Sequence, residues 1–250
     1  MAIKNDVAFV IRRIDFRESD YIVTLFGKEV GKFAGIAKGA RKSDSKFGGV
    51  FDLLNLSEIV YYGSSGLDFI SEGEAIRTWE GIRKSGEAIN VGLRCARSVD
   101  RLLEEGGREK EVYDLFKQTL SSLDQKQEEA RTLELAFYLK LFYLLGYKPE
   151  LERCTKCGKT MEGESRLLFS PRDGGVVCSD CGAEEGLAIS GGLRKNLIKL
   201  LSLPPTQVRR LKLSSELIEK SFLLLEKFGQ YHFDRKVLSD TAMGRGAVKF

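Results

Sequence analysis

The sequence predicts a multidomain α+β protein in which a five-stranded N-terminal barrel precedes an α-helical domain, with a four-cysteine element inserted into the helical part. Three observations carry this prediction. Short apolar runs with glycine-marked turns fill the chain up to Thr78. Helical periodicity takes over beyond that point. Two Cys-x-x-Cys pairs then interrupt the helices. The expected parts are residues 1–80 for the barrel, 81–152 and 186–240 for the two halves of the helical domain, 153–185 for the cysteine element and 241–250 for a flexible tail.

The strands are expected in "VAFVIRRIDF", "YIVTLF", "KFAGIAK", "DLLNLSEIVYY" and "LDFISEGEAI", separated by a Gly27 to Gly31 turn and by "GSSG" at 63–66. Short antiparallel strands of this number suit a small closed barrel. The OB-fold is the five-stranded barrel whose face and loops commonly bind oligonucleotides, although a barrel without a ligand has the same pattern.

Beyond Thr78, "INVGLRCARSVDRLLEE" spaces Val91, Cys95, Val99, Leu102 and Leu103 along one helical face, and "VYDLFKQTLSSL" continues the period. The apolar run from Leu133 to Tyr147 is broken by Glu134 and Lys140, so it reads as a buried helix rather than a membrane span. Two further helices are expected, in "GGLRKNLIKLLSL", which ends at Pro204 and Pro205, and in "SSELIEKSFLLLEKFGQYHF", which opens with a serine cap and Glu216. The start "MAIKNDVAFVIRR" has too short an apolar core for a signal peptide, so the expected location is the cytoplasm.

"CTKCG" at 154–158 and "CSDCG" at 178–182 carry the most specific chemical signal. Cys154, Cys157, Cys178 and Cys181 have the spacing of a four-cysteine zinc site, each pair followed by a glycine that allows the tight turn. Four thiolates complete a tetrahedron and leave no position for water, so the expected metal is one structural Zn2+. Disulfides are the alternative, disfavoured because nothing points to an oxidising compartment. Cys95 reads as a small apolar side chain on its helix.

Catalytic patterns are missing. The sequence holds no G-x-S-x-G elbow, H-E-x-x-H helix or dinucleotide glycine fingerprint, and His232 is its only histidine. Glu128 and Glu129 lie in a helical charge pattern and read as solvated surface. A binding protein, not an enzyme, is expected; a metal-dependent nuclease built from scattered carboxylates has no positive support.

Net charge is only +4, but it is unevenly distributed. Lys28, Lys32, Lys38, Arg41, Lys42 and Lys46 face only Glu29 and Asp44, and a second cationic stretch runs from Arg194 to Lys236. Within the first stretch, "GIAKGARKSDSKFGG" mimics the end of a Walker loop at Lys42 and Ser43. Arg41 stands where that loop needs glycine, which argues against a nucleoside triphosphate.

The run "RRIDFRESDYIVTLFGKEVGKFAGIAKGARKSDSKFGGVFDLLNLSEIVYY" is similar to the N-terminal domain of the RecO family of bacterial recombination mediators, in "RESD", "LFGKEVGK" and "AKGARKSDSKF". The resemblance extends through "ELAFYLKLFYLLGYKPELERCTKCGK" and the second cysteine pair. It implies an OB-fold, a helical domain and a zinc element, and a non-catalytic role in the RecF pathway of recombinational DNA repair. The implied activities are binding of single- and double-stranded DNA, annealing of complementary strands, and work with RecR and single-stranded-DNA-binding protein that lets RecA load. Some members of that family lack the cysteines, so the metal does not define the activity.

With that context, the cationic loop reads as a phosphate-binding surface. Flexible cations among glycines contact a nucleic-acid backbone without reading sequence. Lys38, Arg41, Lys42 and Lys46 are the leading contacts, with Lys32 on the neighbouring strand; Phe33 and Phe47 either stack bases or belong to the barrel core. The resemblance further implies a groove for the acidic, apolar-ended tail of single-stranded-DNA-binding protein, with Arg194, Lys195 and Lys199 as steering cations. A zinc-containing OB-fold that binds RNA or acts as a scaffold is the rival reading.

Overall fold

Period-two alternation, broken by turns, produces strands β1 (Ile3–Phe16), β2 (Asp20–Gly27), β3 (Gly31–Ala37), β4 (Leu56–Tyr62) and β5 (Asp68–Arg77). They close into a barrel in the order β1-β2-β3-β5-β4, with β4 returning to β1. The computed structural model describes residues 3–64, 66–164 and 166–233, apart from the Arg166 side chain, and the tail expected at 241–250 lies outside them. Not every pair is antiparallel, as the sequence pattern suggests: β3 and β5 run parallel, Ile36 beside Phe69. An odd number of strands cannot alternate direction all the way round a closed ring, so one parallel pair is unavoidable.

Inside the barrel lie Ala8, Val10, Val23, Leu25, Phe33, Ile59, Tyr61 and Ile70, and Phe47, Val50 and Phe51 join them from the β3–β4 connection. Phe33 stacks on Tyr61 with centroids 4.7 Å apart, and Phe47 lies 5.0 Å from Phe51. Both phenylalanines are therefore core, which removes them as base-stacking candidates. Full burial of such a side chain is worth about 1.5–3 kcal/mol. Asp6 fixes the β2–β3 turn by accepting hydrogen bonds from the Glu29 and Val30 amides at 3.0 and 3.1 Å. Gly31 closes that turn at φ +75°, and a Cβ there would lie 1.7 Å from the Gly107 carbonyl, so only glycine fits.

Helices α1 (Glu80–Arg83), α2 (Gly86–Leu102) and α3 (Lys110–Gln125) follow, and α2 packs on β1. Phe9 points outward from β1 into a cluster with Tyr113 and Phe116, at 5.1 and 5.0 Å, and Trp79, at 6.5 Å. Burial on both faces explains why "AFVI" is uninterruptedly apolar. The strands end near the expected boundary at residue 80, whereas the compact unit they belong to extends to Gln127 and includes α1–α3.

The second unit begins at Glu128. Its centre is α4 (Ala130–Leu144), apolar on nearly all sides and buried from Thr132 to Leu139. A three-stranded sheet, ordered β7-β6-β8, comprises β6 (Arg166–Ser170), β7 (Gly175–Val177) and β8 (Leu187–Ser190). Helices α5 (Gly191–Ser202), α6 (Pro205–Val208) and α7 (Ser215–His232) complete it. Ser190 and Ser214 cap α5 and α7 by accepting from the amides of Leu193 and Leu217. Phe228 of α7 ties the parts together, 6.0 Å from both Phe142 and Phe169. None of the described helices is long and apolar enough to cross a membrane.

Candidate functional site

After β3 the chain does not wander. Successive i to i+3 turns carry it from Gly39 to Asn55, with the Lys42 amide donating to Gly39, Ser45 to Lys42, Gly48 to Ser45 and Val50 to Phe47. The root is fixed by Asp20, which accepts from the Gly39 amide at 2.8 Å, and by the Arg41 amide, which donates to Ser19 at 2.9 Å. Phe47 anchors the far side in the core. At the root and along the loop, Lys38, Arg41, Lys42 and Lys46 are all exposed.

Their surroundings differ. Arg41 pairs with Asp15 at 3.1 Å and donates to the Arg17 carbonyl at 3.2 Å. Lys46 donates to the Ser71 carbonyl on β5, and the Lys38 ammonium lies 5.4 Å from the centre of the Phe69 ring. These local contacts are weak and solvent-screened, so the charges remain available to an external anion.

Lys32 does not join them. It is only 8% exposed, and its ammonium donates to the Asp100 carbonyl at 2.5 Å and lies 3.7 Å from the Asp100 carboxylate. Arg12 completes the cluster, 3.1 Å from Asp100. The last turn of α2 presents the negative end of the helix dipole and a carboxylate, a natural site for a cation. Lys32 is a strand-to-helix joint, so the expectation that it contacts phosphate is corrected.

In the second unit, the four cysteine sulfurs lie within 4.8 Å of one another. Cys154 and Cys157 sit on a turn ahead of β6, and Cys178 and Cys181 on the turn that follows β7. Gly158 and Gly182, at φ +76° and +61°, donate back to the carbonyls of Cys154 and Cys178 and close each turn. All four cysteines are free. The Sγ atoms of Cys157 and Cys178 are 3.7 Å apart. A tetrahedron of thiolates with metal–sulfur bonds of about 2.3 Å has edges of about 3.8 Å, so the donor set fits a tetrahedral metal ion.

The electrostatics favour ionisation at one corner. Burial opposes a thiolate at Cys154, but backbone amides, including that of Cys178 at 3.4 Å, outweigh it and bring the thiol down to about 6. Cys181 is pushed up to about 12 by hydrogen bonding with Cys178 and Cys157 and by the negative charge of Cys154. A metal ion removes this conflict by stabilising all four thiolates together.

The same unit contains a groove of about 320 Å³ lined by Tyr143, Lys148, Pro149, Leu151, Glu152, Ile198, Leu201 and Ser202. Lys140, its pKa lowered by burial, donates to the Leu201 carbonyl and joins α4 to the end of α5. Lys195 and Lys199 are exposed on α5, and Lys195 stands one turn before Ile198. Arg194 is different: only 6% exposed, it donates to the Leu151 carbonyl at 2.9 Å, so it is a structural tie and not a steering cation. Lys148, in the groove wall, is a cation that the sequence pattern did not single out; an isolated lysine after "LGY" carries no signal until α5 folds back beside it.

Comparison with known proteins covers most of the chain. The family model described as Recombination protein O N terminal matches residues 1–79, and Recombination protein O C terminal matches residues 83–241. A protein of Desulfatibacillum aliphaticivorans named DNA repair protein RecO is 31% identical over 236 residues, 92% of each chain. One of the same name from Alkaliphilus metalliredigens is 28% identical over 94% of this chain and 95% of its own. Another, from Rhodopirellula baltica, is 35% identical over 70% of this chain and 66% of its own.

Proposed function

The chain belongs to the RecO family of DNA repair proteins, and from that membership we propose that it acts as a non-catalytic recombination mediator. It binds single- and double-stranded DNA, anneals complementary strands and works in the RecF pathway with RecR and single-stranded-DNA-binding protein, so that RecA loads. On this reading it works in the bacterial cytoplasm, on the nucleoid. The observation that carries the reading is the anchored loop on an OB-type barrel that presents Lys38, Arg41, Lys42 and Lys46 to solvent. A fixed root with separate exposed cations neutralises successive phosphates of any sequence.

The metal is one structural Zn2+, supported by an all-sulfur donor set with no open position. It holds the loops at the ends of β6 and β7 together. The groove beside α5 takes the tail of single-stranded-DNA-binding protein: apolar side chains receive the apolar end, while Lys148, Lys195 and Lys199 attract the acids.

The test is annealing of complementary strands coated with single-stranded-DNA-binding protein. Acceleration by this chain is expected, and the strands should stay intact with magnesium or manganese present. An inert protein that neither binds nor anneals DNA would overturn the proposal, as would cleavage of the strands.

A further inference from the structure

The outer surface of a small barrel is normally polar where no helix covers it. Here one row is not. The strand register places Ile14 of β1 beside Ile22 of β2, Ile22 beside Ile36 of β3, Ile36 beside Phe69 of β5, Phe69 beside Tyr62 of β4, and Tyr62 beside Ile3 at the start of β1. Laterally paired residues share a face. Their alternating neighbours Val23, Ala37, Ile70 and Tyr61 are in the core, so this row points outward. It is a continuous apolar band that crosses all the strands, with Ile3 66%, Ile14 46% and Phe69 37% exposed.

Two aromatic rings lie side by side in it, Tyr62 and Phe69, with centroids 6.3 Å apart and planes 35° from parallel. Cations of the anchored loop flank them. Lys38 reaches over the Phe69 ring, and Lys46 is bonded to the carbonyl of Ser71, two residues further along the same strand. Acidic residues lie further along, where Glu58 and Glu74 pair across β4 and β5 and Glu72 stands beside Val60. A polyanion is drawn to the loop side of the band and repelled from that patch.

We propose that the band is a stacking track for single-stranded DNA, with bases lying on Phe69 and Tyr62 and the flanking phosphates held by Lys38 and Lys46. This rests on the DNA-binding reading above and adds to it the surface that distinguishes a single strand from a duplex. Exposed planar rings accept any base, whereas duplex bases are already stacked and offer only phosphates. Apolar rings bracketed by ammonium groups complement a strand of alternating bases and phosphates better than a protein surface.

The experiment compares the full-length chain with Phe69→Ala, Tyr62→Ala and Phe69→Trp on three ligands: an oligothymidylate, an abasic strand of equal length and a duplex. The parent should prefer the oligothymidylate to the abasic strand. Each alanine variant should weaken oligothymidylate binding roughly tenfold while leaving the abasic strand and the duplex unchanged. Phe69→Trp should restore affinity, and its indole emission should be quenched by oligothymidylate but not by the abasic strand; the native Trp79 is buried and gives a constant background. Equal binding of base-bearing and abasic strands by the parent would overturn the track while leaving the loop reading intact. Parent-like DNA binding by the variants combined with loss of binding to RecR would reassign the band to a protein partner. Failure of the parent to bind any DNA would overturn the underlying reading instead.

Discussion

The cysteine ribbon draws four like side chains to a point, whereas the cationic loop holds four like side chains apart. Thiolates within 4.8 Å of one another repel unless a cation sits among them, so the convergent cluster is one that could hold a metal ion inside the fold. The loop cations, separated by turns and each exposed, gain little from an ion within the protein. Under the proposed function, their counter-ion is an extended polyanion outside it. The physical difference is whether the backbone aims a cluster inward, as the turns closed by Gly158 and Gly182 do, or spreads it along a surface, as the chain from Lys38 to Phe47 does.

The largest effect should come from breaking the convergent cluster. Structural zinc contributes on the order of 10 kcal/mol of local folding free energy. Cys178→Ser removes a buried ligand and should unravel the loops around β6 and β7. Elemental analysis should find one zinc per parent chain and little in the variant, and thermal melting should show the loss of a cooperative step. A parent purified without metal, or one that melts identically after chelation, would show that the sulfurs converge without needing an ion. DNA annealing should suffer only through lost stability.

The divergent cluster should respond in the opposite way, through affinity rather than folding. Replacing Lys38, Arg41, Lys42 and Lys46 together by alanine should leave the melting profile within about 0.5 kcal/mol of the parent, because the side chains are exposed. The slope of log affinity against log salt on single strands should flatten by about 0.7 per lost contact, roughly 2 to 3 units in all. At 0.1 M salt that corresponds to a loss of roughly two orders of magnitude. The loss should be the same for unrelated sequences, since phosphates carry no base information. Parallel salt slopes would move the DNA path elsewhere.

Elements whose physics is local are readable from the sequence. The α4 helix, the serine caps of α5 and α7 and the paired cysteine turns each depend on residues within a few positions of one another. What depends on distant partners is not. Lys32 and Lys38 look alike in the sequence, yet the first is claimed by Asp100, 68 residues on, because α2 ends against β3. Arg194 is likewise held by Leu151, 43 residues earlier. The parallel pairing of β3 with β5 follows only once closure is known, and the outward band from Ile14 to Ile3 follows only once register is known. Phe33 and Phe47 attract notice beside the cations but are core, while Phe69, far from them in sequence, is the ring that Lys38 covers.

Lys32 therefore sharpens the comparison as a cation that converges. Lys32→Met keeps the apolar stem and removes the donor to the Asp100 carbonyl, leaving Arg12 to pair with the carboxylate. A buried acceptor left without its partner costs about 1–3 kcal/mol, so a fall in stability of that size is expected in chemical denaturation. The salt slope of DNA binding should stay at the parent value. If stability holds and the slope flattens by about 0.7, Lys32 reaches phosphate after all and the joint is incidental.

The smallest effect tests whether the loop cations are fully available. Arg41 is shared with Asp15 at 3.1 Å, on a surface where the carboxylate is 65% exposed and the guanidinium 33%. An exposed pair of this kind contributes only about 0.2–1 kcal/mol, so Asp15→Asn should barely change stability. Its effect on binding has two parts with the same sign: the acid no longer repels the strand, and Arg41 no longer divides its charge between Asp15 and a phosphate. Affinity for single strands should tighten, by less than about tenfold, and the salt slope should steepen by up to about 0.7 if Arg41 gains a full contact. Both changes should vanish when Asp15→Asn is combined with Arg41→Ala. Tightening that persists in the double variant would mean that Asp15 acts by general repulsion and that Arg41 stands outside the DNA path; no tightening at all would mean that the ion pair survives DNA binding and that the loop presents three working cations rather than four.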